Sequence, residues 1–258
     1  MPYTLVQLTD CHLGSGQDAT LLGVNTQQTF DDVLQDVYEK VKHVDLFVLS
    51  GDISNEHDDY AYHYIMSQLP AETPQVWLPG NHDDNKIMAA AVGKNFLNQV
   101  KLGSWVISAQ DSSIKHEVAG YIESTALSSF ENTLLDAPND YHILFIHHHL
   151  LPIQSQWIDA LKVSNGEAVL AKLKAYQQLK LIGCGHVHQD SVMVYDHIQL
   201  VSAPSTCFQF KPKQQQFMLD SALPGYRIFH LHDDGQVDST VFRVKPSSWS
   251  LDIKASGY

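Results

Sequence analysis

Five short segments rich in metal-ligand residues are spread through the chain: Asp10-Cys11-His12, Gly51-Asp52, Gly80-Asn81-His82-Asp83, His147-His148-His149 and Gly185-His186-Val187-His188. Each follows an apolar run of strand length, namely Leu5-Val6-Gln7-Leu8, Leu46-Phe47-Val48-Leu49, Gln75-Val76-Trp77-Leu78-Pro79, Ile143-Leu144-Phe145-Ile146 and Lys180-Leu181-Ile182-Gly183-Cys184. Such runs read as buried β-strands. Strands of one sheet that all finish in oxygen or imidazole ligands deliver them to one crevice at the carboxyl edge, where open α/β sheets place their sites. The expectation is an α/β protein whose chemistry lies at that edge and involves two metal ions.

Ligand-type residues run from Asp10 to His188, so one site needs that whole stretch in one folding unit. Residues 1–258 are therefore read as a single domain, with the motifs over 10–188 and a strand-rich part over 189–258. A net charge of -13 lacks the basic footprint of a nucleic-acid or membrane-surface binder. It is compatible with a small phosphate-containing substrate, because bound cations dominate the local field. No apolar stretch reaches the roughly 20 residues that span a bilayer. The three cysteines, Cys11, Cys184 and Cys207, lack CxxC spacing and fit a reducing compartment. Met1-Pro2-Tyr3-Thr4 leads straight into the first strand with no signal peptide, and the expected location is the cytoplasm.

Phe30, Val33, Leu34, Val37, Val41 and Val44 recur at helical spacing, which predicts an amphipathic helix covering a sheet. Strand, helix and strand continue through 46–49, a polar helical stretch from His57 to Leu69, and 76–78, the order of right-handed βαβ units. Beyond residue 100, strands are expected over 105–108 and 141–146, and helices over 128–135 and 166–176. Further strands are expected over 192–195, 198–201, 227–231 and 240–244. Two β-halves flanked by helices predict a four-layer α/β/β/α sandwich of two mixed β-sheets. Residues 208–224 read as a long irregular loop.

Taken singly, an Asp or His at a strand end is as often a turn former as a ligand. The set is more restrictive. Asp, His, Asp, Asn, His and His-x-His supply the mixed oxygen and imidazole donors that suit manganese, iron, zinc or cobalt. In extended backbone, residues two apart point the same way, so Asp10 with His12, and His186 with His188, can face one cluster. Asp52 has two oxygens with which to bridge ions roughly 3.5 to 4 Å apart. Asn81 adds a neutral carbonyl oxygen that limits the site's negative charge.

The ordered pattern Asp-x-His, Gly-Asp, Gly-Asn-His-Asp, His and Gly-His-x-His, complete between Asp10 and His188, resembles that of the calcineurin-like metallophosphoesterase superfamily. The resemblance implies the same sandwich and two divalent or mixed-valence ions, iron or manganese first, with zinc or cobalt also accepted. By it, Asp10, His12, Asp52 and His188 would hold one ion, and Asp52, Asn81, His147 and His186 the other. His82 would be the non-ligand histidine that contacts the phosphate and protonates the leaving oxygen. His12, Asn81 and His188 would join it on the substrate side. Relatives often carry His-His-Pro-Pro-x-Pro at 147–152; aligning Pro152 with the last proline makes His147 the ligand, with His148 as the alternative and no metal role for His149. Leu150 departs from that pattern. Cys11, between two ligands, is read as a buried packing thiol.

Within the superfamily the chain is similar to the bacterial class III 3',5'-cyclic-nucleotide phosphodiesterases, the cyclic-AMP enzymes above all. The similarity is carried by Cys184-Gly185-His186-Val187-His188-Gln189, Pro204-Ser205-Thr206-Cys207-Phe208-Gln209-Phe210-Lys211-Pro212 and Pro224-Gly225-Tyr226-Arg227, with the triple histidine and Pro152. It implies hydrolysis of 3',5'-cyclic AMP to 5'-AMP by in-line attack of a metal-bridging hydroxide, with His82 assisting the leaving ribose oxygen. A broad-specificity phosphodiesterase or nucleotide pyrophosphatase of the same superfamily, and a catalytically dead metal-binding interaction module, are the alternatives. The nucleoside is expected to be read by loops over 18–25, 55–60 and 204–213. Phe208, Phe210, Tyr60 and Tyr62 are candidates for stacking on the base, although packing is the commoner role of such rings. A monomer and a homodimer both fit, with residues 208–224 a candidate dimer contact.

Overall fold

The computed structural model describes residues 2–56 and 58–257. β1 (Tyr3–Leu8) is followed by a short ribbon of β2 (Thr20–Leu21) and β3 (Val24–Asn25), then α1 (Thr26–Lys40). Next come β4 (Leu46–Ser50), α2 (Tyr60–Gln68), β5 (Gln75–Leu78) and α3 (Asn85–Val92). β6 (Val100–Leu102), β7 (Trp105–Ala109), α4 (Ser124–Asp136), β8 (Tyr141–Phe145), α5 (Gln156–Asp159), α6 (Gly166–Leu173) and β9 (Leu179–Cys184) follow. The chain then runs through β10 (Ser191–Tyr195), β11 (Ile198–Ser202), β12 (Gln209–Phe210), β13 (Leu219–Asp220), β14 (Gly225–Leu231) and β15 (Val237–Arg243).

Among the described residues the strands form two large mixed sheets, in the orders β15-β14-β1-β4-β5 and β10-β11-β9-β8-β7-β6. In the first, β1, β4 and β5 are parallel, with Leu8 opposite Leu49 and Ser50 opposite Leu78. In the second, β7, β8 and β9 are parallel, with Phe145 opposite Gly183. The two parallel sets end at the same edge of the sandwich, and those ends carry the five segments. This corrects the expectation of one sheet: Asp10, Asp52 and Asn81 follow strands of the first sheet, and His147 and His186 follow strands of the second. The four layers are as expected.

Pleating explains why the strand runs are apolar throughout. Leu46 and Val48 of β4 face inward into a core shared with Ile107, Ile143, Phe145, Leu181 and Phe229 of the opposite sheet and β14. Phe47 and Leu49 face outward onto Phe30, Val33 and Val37 of α1 and Tyr62 and Ile65 of α2. On the other side, Leu144 and Ile182 meet Phe130 and Leu134 of α4 and Val169, Leu170 and Leu173 of α6. Strands buried on both faces have no polar alternation to show. Each large side chain so buried contributes about 1.5–3 kcal/mol. Below the site Gln7 ties the sheets together, its Nε2 donating to Ser50 Oγ at 2.8 Å and to the Cys184 carbonyl at 3.0 Å.

The helices depart from expectation at their ends. α1 starts at Thr26 because the Asn25 side chain accepts from Gln28 N–H, and it stops before Val41, which is extended. α2 starts at Tyr60; His57 lies outside the described residues. α4 starts at Ser124, ahead of the expected residue 128. The stretch 208–224 is not irregular throughout: β12 pairs with β13, and Phe208, Phe210 and Leu219 are buried in a small core with Ile158 and Val187. No helix among the described residues is long and apolar enough to cross a membrane.

Candidate metal centre

The strand ends pass into tight turns whose backbone is left-handed at Asp10 (φ 52°), His12 (φ 46°), Asp52 (φ 52°), His186 (φ 65°) and His188 (φ 45°). The expectation of extended backbone at Asp10–His12 and His186–His188 is therefore wrong; Asp10 and His12 still share one donor trio, whereas His186 and His188 fall in different trios. The turns are locked by backbone bonds across strands: Asp10 N–H donates to the Gly51 carbonyl and His12 N–H to the Asp52 carbonyl, both at 2.9 Å. Such geometry costs about 1–3 kcal/mol per residue and persists only where surroundings enforce it. Gly51 has a positive φ of its own (+95°), and a Cβ there would lie 2.4 Å from His147 Nδ1. At Gly185 a Cβ would lie 2.6 Å from Asp10 Oδ2. Side chains at either position would push the donors apart.

Among the described residues, four overlapping trios bring donor atoms within 4.8 Å of one another: Asp10, His12 and His188; Asp10, Asp52 and His147; His12, Asp52 and His82; and His147, His148 and His186. Asp52 lies between the two ends of this array. Its Oδ2 is 3.3 Å from His147 Nε2 and 3.8 Å from His12 Nε2. Its Oδ1 accepts from His82 N–H at 2.8 Å. The Asp10 carboxylate accepts from His186 N–H at 2.9 and 3.0 Å and lies 3.4 Å from His188 Nε2.

Second partners orient the imidazoles. His147 Nδ1 donates to the Ser50 carbonyl at 2.9 Å and His188 Nδ1 to the Phe208 carbonyl at 2.8 Å, so both rings turn Nε2 toward the centre. His148 is held differently. Its Nε2 donates to the Val118 carbonyl at 3.1 Å, and its Nδ1 accepts from Ser112 Oγ at 2.8 Å. Both of its nitrogens are engaged by the loop after β7. His149 is buried, 3.6 Å from Asp159 and stacked on the His186 ring.

Burial would raise the Asp52 carboxyl, but His147, His82 and His12 around it hold it well below the usual carboxylate range. Burial would lower His147; Asp52, with Asp10 and the Ser50 carbonyl, instead raises it to about 9. Burial pushes His12, His148 and His186 well below the usual histidine value, and neighbouring histidines add to this. Uncharged imidazoles are the form that binds metal.

Whether the residues fit two cations is answered by the donor set and by buried atoms that lack partners. Asn81 Oδ1 and His186 Nε2 are buried and make no hydrogen bond among the described residues. Each such atom costs about 1–3 kcal/mol unless something satisfies it. With two carboxylates and several inward Nε2 atoms beside them, the array fits oxygen- and nitrogen-loving divalent ions.

Asp83, which the sequence reading left without a role, anchors the array. Its buried carboxylate accepts from Gly80 N–H (2.9 Å), Ile53 N–H (3.1 Å), Ser54 N–H (3.0 Å) and Tyr62 Oη (2.9 Å). Burial, with Asp52 nearby, raises its carboxyl above the usual value. It thereby fixes the turn carrying Asp52 to the turn carrying Asn81 and His82. The aromatic candidates are redistributed. Tyr62 is spent on Asp83, and Tyr60 Oη donates to Gln27. Phe208 stacks on His12 with centroids 5.8 Å apart. The cleft above the centre is lined by Asp52, Asn81, His82, His186 and Phe210, and by Trp157 and Phe217, which the sequence reading had not considered. The expected loops over 18–25 and 55–60 contribute no lining among the described residues.

A model of the calcineurin-like phosphoesterase family matches residues 3–190. The chain belongs to that family. It is 35% identical over 98% of its length to the 3',5'-cyclic adenosine monophosphate phosphodiesterase CpdA of Pseudomonas aeruginosa, covering 94% of that protein. It is 33% identical, over the same shares, to the CpdA of Haemophilus influenzae. A dimetal phosphatase from Danio rerio shares the fold, with a TM-score of 0.65 at 14% identity over 95% of this chain and all of that one.

Proposed function

We propose that this chain is a two-metal phosphodiesterase that hydrolyses 3',5'-cyclic AMP to 5'-AMP. The observation that carries the reading is the convergence of strand-end donors from both sheets into overlapping trios, with Asp52, Asn81 and His186 opening onto the cleft, in a chain 35% identical over 98% of its length to a cyclic-AMP phosphodiesterase. Asp10, His12, Asp52 and His188 would hold one cation, and Asp52, Asn81, His147 and His186 the other. The choice of His147 over His148 is supported by hydrogen bonding, since His147 keeps Nε2 for the centre while both nitrogens of His148 serve the loop. When bound, two divalent ions neutralise charge on the phosphodiester and lower the pKa of water. Iron or manganese is the proposed pair.

His82 is the catalytic acid. Its backbone is fixed to Asp52, its ring stands edge-on to His12 with centroids 4.8 Å apart, and it opens onto the cleft. From there it donates a proton to the departing ribose oxygen. Asn81, on the cleft floor, and His12 and His188, buried behind it, are the further residues proposed for the substrate side. The catalytic unit is residues 1–258 as one domain, a reading supported by β14, which pairs with β1 inside the first sheet. The three buried free cysteines support a cytoplasmic location.

The test is steady-state hydrolysis by manganese-reconstituted protein of 3',5'-cyclic AMP beside 2',3'-cyclic AMP, a glycerophosphodiester and an aryl phosphodiester. Preference for 3',5'-cyclic AMP with 5'-AMP as product is expected. Turnover of only the other diesters would keep the metal chemistry and remove the cyclic-AMP assignment.

A further inference from the structure

The cleft above the metal centre encloses about 230 Å³ and has two chemically different ends. Its floor is formed by Asp52, Asn81, His82 and His186, and its outer wall by Val118, Trp157, Leu161, Phe210 and Phe217. Three rings of that wall meet edge to face. Trp157 lies 5.0 Å from Phe210 and 5.3 Å from Phe217, and Phe210 lies 5.5 Å from Phe217, between centroids. Phe210 in turn stacks on His188 at 4.1 Å and 19°. The aromatic wall is thus tied directly to a donor residue of the buried array behind the floor.

Burial separates the roles of these rings. Phe210 is 2% exposed and backs the wall, whereas Trp157 and Phe217 are only partly buried and border the void. Val118 is apolar yet 49% exposed, and its position is set by the bond from His148 Nε2 to its carbonyl. A floor built for an anion, continuous with flat apolar surface that has no charged side chain, suits a ligand with a phosphate at one end and a planar ring at the other.

We propose that Trp157 and Phe217, with Val118 and Leu161 at the rim, form the nucleobase subsite, an assignment that rests on the chain acting on a nucleotide. An apolar wall grips a base through its π-face, so it separates base-bearing from base-free ligands strongly and one base from another weakly.

The assignment is tested by calorimetric binding of 5'-AMP and ribose 5-phosphate, which share phosphate and sugar, to the manganese-loaded protein. The wild type should prefer 5'-AMP by about tenfold or more. Trp157→Ala should abolish most of that preference while ribose 5-phosphate affinity stays within about twofold, and Trp157→Phe should restore it. Phe217→Ala is the second probe should Trp157→Ala not fold, with the same expected loss. Equal affinity of the wild type for both ligands, or an equal fall for both in the variants, would overturn the subsite. Failure of cyclic-AMP turnover with base preference intact would instead remove the phosphodiesterase reading and leave the subsite standing.

Discussion

Asp52 and His147 are the residues on which the centre turns. Without metal they form a buried ion pair, with Asp52 depressed and His147 raised from 6.5 to about 9. The His147 contribution to stability is complete below the ordinary histidine value and is lost as pH rises through about 9. The Asp52 contribution is present above the ordinary carboxylate value and is lost as pH falls through its depressed one. A cation bound by His147 must displace that proton. Manganese binding near neutral pH should therefore release about one proton from this residue, and affinity should climb with pH by up to about tenfold per unit until about pH 9. Titrations in buffers of different ionisation enthalpy read this directly, and binding without proton release would refute the pairing. Two substitutions separate chemistry from metal binding. His82→Ala should keep its metals and lose about 10²–10⁴-fold in kcat. Asp52→Ala should lose metal as well as turnover. Wild-type turnover in metal-replete His82→Ala would end the acid assignment.

At the scale of elements, the turns after β1, β4 and β5 hold the centre together, and Asp83 is the joint between the last two. Asp83→Ala strands buried N–H groups of Ile53, Ser54 and Gly80, which should cost about 3 kcal/mol or more. A fall in Tm of about 6 °C or more, with weaker manganese binding, is the expected readout; an unchanged Tm would show that the joint carries no weight. The strands were legible in the sequence because sheets covered on both faces leave unbroken apolar runs. The donors were legible because each sits just beyond such a run. Helix starts were less so: Asn25 caps α1 upstream of the first apolar repeat, where periodicity gives no signal. The left-handed turns were illegible, since the backbone of Asp10, His12, Asp52 and His186 is engaged there by bonds to residues distant in sequence. Trp157 was missed for a related reason. It lies on the four-residue α5 and reaches the site only through tertiary packing with Phe210 and Phe217.

At the scale of the molecule, two sheets are packed so that their parallel strands end together, and the metal centre closes the open edge of the sandwich. The sequence pointed to a shared edge but could not divide the strands between sheets, because inward and outward residues of β1, β4, β8 and β9 are equally apolar. Phe229 of β14 tests the unity of the fold. It is buried between the sheets, edge-on to Phe145 with centroids 5.8 Å apart, and supplies no donor. Phe229→Ala should cost about 3–5 kcal/mol while the folded protein binds manganese as the wild type does. Unfolding should remain one transition; two would contradict the single domain. The most direct test of the whole account is stepwise addition of manganese to metal-free protein while 5'-AMP formation from 3',5'-cyclic AMP is followed. Two-metal catalysis requires no turnover without metal and full activity at two equivalents per chain. Full activity at one equivalent, or none at two, would contradict it.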